Sequence, residues 1–349
     1  MEQHAHTKRV SIRIAVYFVM ALMVFAGIGA SDFTATAASA QEIVVYSGRA
    51  QALVEPIINA FTEQTGIKVA VRYGDTAELA ATILEEGRNS PADVYWAQDA
   101  GALGALSKEG RFERLPDEIL NLVDARLRSP EGVWVATSGR ARVVAYNTSV
   151  LNESEMPDSI WAFTDPKWSG RIGWAPTNGS FQAFVTAIRV LEGEERAAQW
   201  LRGIQANRPR VYRNNSTAVE AVSRGEVDVA FVNHYYLYRF LAEHGDGFPV
   251  RNHYTSGDAG SIVNIAGIGV LKTSNKKEAA ERFVEFMLSE QAQQHFARDS
   301  YEYPVTLDES IELDSRLLPL DQIDTPDIDL NDLNDLEGTL ELLQRVGVL

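Results

Sequence analysis

The chain has 349 residues, a formal net charge of −16 and no cysteine. The missing thiols exclude disulfides, thiolate metal sites, cysteine nucleophiles and a lipid-anchored cysteine. The acidic balance argues against nucleic acid as a partner, because binding to phosphates requires clustered Lys and Arg. The length predicts about two domains, with enough chain to bury a sizeable core.

The first forty residues have the pattern of an export signal. Three basic residues precede an apolar run over residues 14–30, and a small-residue stretch ends in Ala38-Ser39-Ala40. A membrane anchor is the alternative, but this run is short for a spanning helix. The small residues are typical of a cleavage site, so we expect cleavage after Ala40. The mature chain is then periplasmic and not inserted in a membrane.

Strands and helices alternate in the first part of the mature chain. Apolar patterning predicts, in order, strand, helix, strand, helix, strand and helix over residues 43–46, 53–61, 68–73, 77–86, 91–96 and 100–107. Such alternation indicates βαβ units on a mostly parallel sheet. Because ligands bind at the carboxyl ends of such strands, the loops of interest are 47–51, 74–76 and 98–101.

The next part of the chain predicts a second lobe. Residues 133–137 and 142–146 are expected as strands that cross into it, and 265–271 as the strand that returns. A helix is expected to open at Asn214-Asn215-Ser216, with Thr217 and Glu220 as a capping box. The predicted organisation begins with the export signal, residues 1–40. The first part of lobe 1 covers residues 41–138, lobe 2 covers 139–264, and the second part of lobe 1 covers 265–305. A tail follows over residues 306–349.

Two polar segments are candidate anion sites, since each stands at the start of a predicted helix. Asn178-Gly179-Ser180 and Asn215-Ser216 would present backbone N–H groups and the positive end of a helix dipole. Ordinary helix capping is the alternative for each. Gly101 and Gly104 lie inside a predicted helix and indicate close packing rather than phosphate binding.

The adjacent tyrosines Tyr235 and Tyr236 follow a strand that ends at Asn233. Half-buried packing is the ordinary explanation for tyrosines at a strand end. A metal role is the alternative, because Fe³⁺ is a hard ion that prefers charged oxygen ligands such as phenolate. Free tyrosine has a pKa of about 10, so the ion must displace a proton and binding should weaken at low pH. Small oxyanions could then fill the remaining coordination positions.

Other chemistry is weakly indicated. The histidines have no zinc-ligand spacing, and no G-x-S-x-G, Walker A or G-x-G-x-x-G sequence is present. His234 abuts the tyrosines and could support them, although a solvated histidine is the simpler interpretation. Glu85-Glu86 could supply an acid and a base, but no nucleophile accompanies this pair.

Seven segments together resemble the bacterial periplasmic ferric-ion-binding proteins, the substrate-binding components of iron ABC transporters. They are residues 45–49, 85–94, 138–147, 171–177, 225–230, 233–236 and 302–304. The resemblance implies an α/β fold of the two-lobe periplasmic binding protein type (type II), with mixed sheets flanked by helices and a hinge between the lobes. It implies no catalytic activity.

The resemblance also implies a set of site residues. The expected ferric ligands are Tyr235, Tyr236 and Tyr146, the last as in the branch of the family that uses three tyrosines. The expected anion-holding residues are Asn178, Gly179, Ser180, Asn215 and Asn233.

Two departures from the family pattern change this expectation. Some members have a histidine and a glutamate where this chain has Ala50 and Gln98, which favours a tyrosine-rich site completed by carbonate or a similar synergistic anion. Arg49 and Arg140 are candidate partners of that anion, because a guanidinium can donate two hydrogen bonds to it. A surface salt bridge is the alternative for both arginines. Tyr46 and Gln98 are candidate supporting residues, with strand packing as the alternative for Tyr46.

Three functions are compatible with the residues. The first is a monomeric carrier of Fe³⁺ that delivers its cargo to an ABC permease and its ATPase. The second is a binding protein of the same fold for an inorganic or organic anion without metal. The third is a hydrolase or lyase, for which the required site groups are missing.

Overall fold

The structure is a computed structural model that describes residues 41–308 and 310–349. The predicted export signal lies outside the described residues. The strands, numbered β1 to β9, are Glu42–Ser47, Lys68–Tyr73, Val94–Ala97, Val135–Asn147, Ile172–Trp174, Arg210–Val211, Val229–Asn233, Val250–His253 and Val263–Val270. The α-helices, numbered α1 to α11, are Gln51–Thr65, Thr76–Glu86, Ala100–Lys108, Asp117–Leu120, Gly179–Glu192, Glu194–Ala206, Asn215–Ser223, Tyr235–His244, Lys277–Met287, Glu290–Arg298 and Leu336–Arg345.

A single mixed sheet connects the two halves of the mature chain. Its strand order is β2-β1-β3-β9-β4-β7-β5-β6, and β8 pairs with β4. The strands β1, β2 and β3 are parallel, as the alternating pattern predicts, whereas β9 and β4 are antiparallel to their neighbours. The two predicted crossing strands are one strand, β4, which pairs with β9 in its first half and with β7 and β8 in its second. We call the β1–β3 side lobe 1 and the β5–β8 side lobe 2.

Local sequence signals account for most element boundaries. In α1 the buried positions follow a helical period, and Gly66 ends the helix in the left-handed conformation with φ of 74°. The capping box at the start of α7 is formed by Asn214 and Thr217, not by the predicted pair Thr217 and Glu220. The hydroxyl of Thr217 reaches back to the Asn214 backbone N–H, at 3.3 Å.

Large aromatic side chains fill the core of each lobe. In lobe 1, Phe61 meets Phe283 edge to face with ring centroids 5.0 Å apart. In lobe 2, Trp200 lies 5.2 Å from Phe184 and 5.5 Å from Phe231. Each such burial stabilises the fold by roughly 1.5 to 3 kcal/mol, so the lobes hold a stable frame around the cleft between them.

The tail packs on both lobes. On lobe 2, Thr339 of α11 shares a buried 2.7 Å hydrogen bond with Thr186 of α5. On lobe 1, a Cβ added to Gly104 of α3 would lie only 2.3 Å from the Cβ of Asn334. Gly104 therefore permits close packing, in agreement with the prediction from the sequence.

Residues 41–349 form one compact unit, so the proposed boundaries between lobes and tail stay predictions. Within the part of the chain that the structure describes, no helix is both long and apolar enough to cross a membrane.

Candidate functional site

The tyrosine pair lies at the carboxyl end of β7, where α8 begins. Tyr235 and Tyr236 are 0 % and 5 % exposed, and their ring centroids are 4.3 Å apart. The side-chain amide of Gln98, which follows β3 of lobe 1, donates to the Tyr235 hydroxyl at 3.5 Å. The pair belongs to lobe 2, so this contact brings the two lobes together at a phenol oxygen.

Burial keeps Tyr235 protonated in the absence of a cation. Burial and the neighbouring Tyr236 raise the pKa of Tyr235 well above its ordinary value, while the positive charges of Arg49 and Arg140 lower it. A cation that binds the phenolate oxygen must therefore displace a tightly held proton.

His234 supports the pair from behind as a buried, neutral residue. Its Nδ1 accepts from the Ala141 backbone N–H at 3.1 Å, and its Nε2 donates to the Tyr301 carbonyl at 2.8 Å. Burial lowers the pKa of His234 to about 4. The interpretation of His234 as a solvated histidine is wrong, because the side chain is fully enclosed.

Arg49 enters the site from the loop after β1. Its Nη2 donates to both carboxylate oxygens of Glu302, at 2.7 and 2.6 Å, and both side chains are buried. Its Nε and Nη1 have no hydrogen-bond partner among the described residues. Arg49 is thus held by one carboxylate and still has donors available for a ligand.

Two arginines of β4 face the site from the middle of the molecule. Arg140 and Arg142 are two residues apart and therefore share one face of the strand. All three guanidinium nitrogens of Arg140, and Nη2 of Arg142, are buried without a hydrogen-bond partner in the described chain. Arg140 is 1 % exposed, so the surface salt bridge considered for it is excluded.

The charge of these arginines is poorly compensated. Burial, together with the like charge of Arg140, lowers the pKa of Arg142 to about 9. Burial and the charge of Arg49 also lower the pKa of Arg140. Buried donors of this kind are costly to leave unpaired, and an anion would satisfy them.

The polar residues predicted from two distant helix starts converge around Arg142. Its Nη1 donates to the Ser180 hydroxyl at 3.2 Å and to the Asn233 side-chain oxygen at 3.0 Å. Ser180 also accepts from Asn215 at 3.1 Å and donates to Asn178 at 2.6 Å. The amide nitrogen of Asn233 is buried and unpartnered among the described residues. The starts of α5 and α7 thereby form one polar wall.

Asp99 closes the site from lobe 1. Its Oδ1 accepts from the Ala102 backbone N–H at 3.0 Å and caps α3, whereas Oδ2 is buried without a partner in the described chain. A Cβ added to Gly179 would lie only 2.6 Å from this Oδ2. Gly179 is the first residue of α5 in lobe 2, so the absence of a side chain there allows the lobes to approach. Burial raises the pKa of Asp99 to about 6, although Arg140 lowers it.

An excess of positive charge remains in the enclosed site. Arg49, Arg140 and Arg142 face the two carboxylates of Glu302 and Asp99, all of them at most 3 % exposed. Three guanidinium groups against two carboxylates leave one unbalanced positive charge. A trivalent cation would be repelled here unless its ligands lose protons or an anion enters with it.

The cleft beside the pair opens into a cavity of about 460 Å³. Tyr236, Arg49, Gln98 and Asn178 line its inner part, and Ala50 lies in its wall. The cavity is therefore bordered both by the exposed Ala50 and by Tyr236 of the pair.

Two predicted site residues lie elsewhere. Tyr146 pairs with Val229, whereas Arg142 pairs with Asn233 at the site end of the same two strands. The two positions are four residues apart along the strand, about 13 Å, and Tyr146 is buried in the apolar core of lobe 2. Tyr46 is also apart, because its hydroxyl donates to Glu86 at 2.9 Å. The structure therefore does not bring Tyr146 or Tyr46 to the tyrosine pair.

Three residues of the site were missed in the sequence. Arg142 could have been found, since it alternates with Arg140 in a strand and must point the same way. Glu302 lies within a segment that carries the family resemblance, but nothing local pairs it with Arg49, 253 residues away. Asp99 has the sequence pattern of a helix cap, and this pattern explains only the hydrogen bond of Oδ1. It gives no sign that Oδ2 faces the site.

The donor set of the cleft is phenolic rather than a cluster of acids and imidazoles. In residues 41–308 and 310–349, no group of three or more His, Cys, Asp or Glu side chains is arranged to hold a metal ion. The tyrosine pair, the buried arginines and the polar wall together define a two-lobed binding protein with a deep site between its lobes.

Comparison with known proteins assigns the family. Residues 43–302 match the family model of the bacterial extracellular solute-binding proteins. The chain belongs to this family, and the resemblance to ferric-ion-binding proteins is confirmed by its relatives. The major ferric iron-binding protein of Neisseria meningitidis serogroup B is 35% identical over 328 residues, which cover 91% of this chain and 97% of that protein.

Solved structures agree with this assignment. Iron-bound HitA from Pseudomonas aeruginosa superposes with a TM-score of 0.84 at 38% identity, covering 88% of this chain and 99% of HitA. A Trichodesmium protein (IdiA, FutA) in complex with iron and citrate has a TM-score of 0.72 at 30% identity, with coverage of 88% and 99%. These matches confirm the predicted two-lobe α/β fold.

Proposed function

We propose that this chain is a periplasmic carrier that captures ferric iron between its lobes and delivers it to an ABC permease and its ATPase. The observation that carries the proposal is the adjacent, buried phenols of Tyr235 and Tyr236 facing unpartnered arginine donors. The iron-binding relatives support the choice of cargo. The predicted export signal supports the location, and the chain acts as a monomer without catalysis.

The tyrosines bind the ion as phenolates. Fe³⁺ displaces one proton from each hydroxyl, and Gln98 then donates to the Tyr235 oxygen across the cleft. Because the pKa of Tyr235 is raised by burial, proton release opposes binding. Iron affinity therefore rises with pH and falls on acidification.

A synergistic anion, carbonate or a similar oxyanion, completes the site. The unpartnered nitrogens of Arg140, Arg142 and Asn233 are its donors, and Asn178, Gly179, Ser180 and Asn215 shape its wall. Its negative charge offsets the excess positive charge of the arginines. The citrate in the Trichodesmium relative supports the entry of an anion together with iron.

The two lobes close as a hinged trap. Tyr235 and Tyr236 come from lobe 2, whereas Gln98 and Arg49 come from lobe 1. A ligand that touches both sides stabilises the closed form by its differential contacts. We assign two phenolate ligands to the ion and leave Tyr146 out of the site, because of its distance along β4.

A phenolate-to-iron charge-transfer band tests the proposal. Purified protein loaded with Fe³⁺ and bicarbonate is expected to show a visible band, which the Tyr235→Phe, Tyr236→Phe double variant loses. The Tyr146→Phe variant is the matched control and keeps the band. Retention of both the band and the affinity in the double variant would show that the iron site lies elsewhere.

An anion carrier without metal would use the same arginines, but it has no need of adjacent phenols. Calorimetric titration of the apo protein with ferric citrate and with sulfate separates the two functions. Heat from sulfate alone, with no response to iron, would support the anion carrier.

A further inference from the structure

Asp99 is an unusual group for a site that is otherwise rich in donors. Its carboxylate is 2 % exposed, and Oδ1 is used by the backbone of α3. Oδ2 has no donor among the described residues, although it is buried. A carboxylate oxygen in this condition is costly to enclose, so its position requires a partner that arrives with the ligand.

The position of Asp99 places this oxygen at the anion wall. Oδ2 approaches the backbone of Gly179 so closely that a Cβ there would lie 2.6 Å from it. Gly179 opens α5, a helix of 14 residues, so this oxygen lies beside the positive end of the α5 dipole, where an anion is favoured. The wholly unpartnered guanidinium of Arg140 lies near enough for its charge to act on Asp99.

The frame around Asp99 is held firmly. The Asn264 side-chain oxygen accepts from the Ala100 backbone N–H at 3.4 Å, and Asn264 is the β9 partner of Arg140. The start of α3 is thereby tied to the strand pair that carries Arg140. Asp99 and Arg140 are therefore connected through Asn264, and both lie beside the proposed anion site.

The donors and acceptors that line the site then determine which anion can bind. Arginine and amide nitrogens donate, and any oxyanion accepts from them. An ionised carboxylate only accepts, so a fully deprotonated anion such as sulfate would place oxygen against the Asp99 oxygen. An oxyanion that retains a proton can donate it to Oδ2 while accepting from the arginines.

We propose that Asp99 makes the site selective for oxyanions that keep a proton when bound, such as hydrogen carbonate or hydrogen phosphate, over sulfate and its analogues. This inference rests on the proposed anion site beside the tyrosine pair. It assigns to Asp99 the choice of the anion, whereas the tyrosines bind the iron.

Matched anions test the selectivity. Phosphate and arsenate have nearly the size and shape of sulfate and selenate, but only the first two are protonated near neutral pH. Calorimetry on the apo protein measures the binding of each anion, and hydrogen carbonate is included as a separate arm. In parallel, iron is added with a single anion present, and the charge-transfer band is recorded. We expect a preference of about tenfold or more for the protonated anions, the ratio typical of one unmatched buried polar group.

The Asp99→Asn variant is the decisive change. Asparagine keeps the helix cap, but its amide nitrogen can donate to sulfate. The preference is expected to fall by about tenfold, with the band still formed. Asp75→Asn is the control, since this carboxylate lies exposed at the mouth of the same cavity, and it should leave the ratio unchanged.

Two results overturn the inference: equal binding of sulfate and phosphate by the natural protein, or an unchanged ratio in Asp99→Asn. Either result, together with a normal band, leaves the iron function intact. A third result would separate the two proposals in the other direction. If calorimetry shows the preference for protonated anions but no anion gives a charge-transfer band with iron, the iron function is wrong and the role of Asp99 stands.

Discussion

The two ends of the second half of β4, residues 140–147, differ in what they enclose, although every residue of this strand is buried. At one end, Arg140 and Arg142 present unpartnered nitrogens to the cleft. At the other end, Tyr146 packs among apolar side chains of lobe 2. The comparison teaches that burial alone does not identify a functional group. An enclosed polar atom without a partner indicates a binding site, whereas an aromatic ring among apolar neighbours indicates packing.

The most severe change at the apolar end is Tyr146→Ala. Removal of a buried aromatic ring leaves a cavity and should lower the free energy of unfolding by about 3 to 5 kcal/mol. Urea denaturation of the apo protein measures this loss. The charge-transfer band per folded molecule should not change. A lost band in protein that is still folded would return Tyr146 to the iron site.

The matching change at the polar end is Arg140→Met. It removes donors from the proposed anion and should weaken iron binding by about 2 to 5 kcal/mol, the range for one buried partner of a charged pair. The stability of the apo protein should be unchanged or higher, because an uncompensated buried charge is removed. Chelator competition and urea denaturation measure the two effects.

Arg251→Met is the control for this comparison. Arg251 lies on β8 opposite Tyr146 and donates to the backbone carbonyls of Phe248 and Val250. Its loss should leave iron affinity unchanged. An equal loss of affinity in both variants would mean that the ends of β4 do not differ in function.

The pH dependence of Asp99 sharpens the contrast further. Its pKa is about 6 in the folded protein, above the ordinary value of 3.8. Folding therefore favours the protonated acid, and this stabilisation is fully present below about pH 3.8 and lost as the pH rises through about 6. At about pH 7.5 the ionised group should cost about 1 to 3 kcal/mol.

Asp99→Asn should accordingly stabilise the apo protein near neutral pH and have little effect near pH 4. Urea denaturation at both pH values measures the difference. A variant that is equally stabilised at both values would show that the gain does not come from ionisation of Asp99.

The smallest effect is expected for Tyr146→Phe. The Tyr146 hydroxyl donates no hydrogen bond to another described residue, so its removal should change the free energy of unfolding by no more than about 0.5 kcal/mol. Iron affinity should also stay the same. A weakened charge-transfer band in this variant would contradict a site made of two tyrosines.

Much of the fold could be predicted, because the signals are local. The parallel start of the sheet and the crossing from one lobe to the other follow from apolar periodicity. Helix starts at Asn178 and Asn214 follow from the short polar side chains that cap them. The capping partner of Asn214 was predicted wrongly, since spacing permits several partners and only backbone geometry selects one.

The candidate site was predictable where neighbours in sequence are neighbours in space. Tyr235 and Tyr236 are adjacent, and the Asn178 and Asn215 loops could each be identified by type. Tyr146 was assigned by resemblance, whereas its distance from the pair depends on the register of β4 against β7. The pairing of Arg49 with Glu302 depends on contacts between distant parts of the chain.

By itself the sequence predicted an export signal, and it determined the α/β alternation, the phenolic character of the donors and the exclusion of thiolate chemistry. Periodicity and residue type are sufficient for these, because they act over a few residues. Only the tertiary structure decided that Arg142 joins the walls of the site, that Tyr146 lies outside it, and that Asp99 presents an unpartnered oxygen. Those outcomes depend on strand register and on which buried polar atoms remain without a hydrogen-bond partner after packing. Neither can be predicted from residues that are close in sequence.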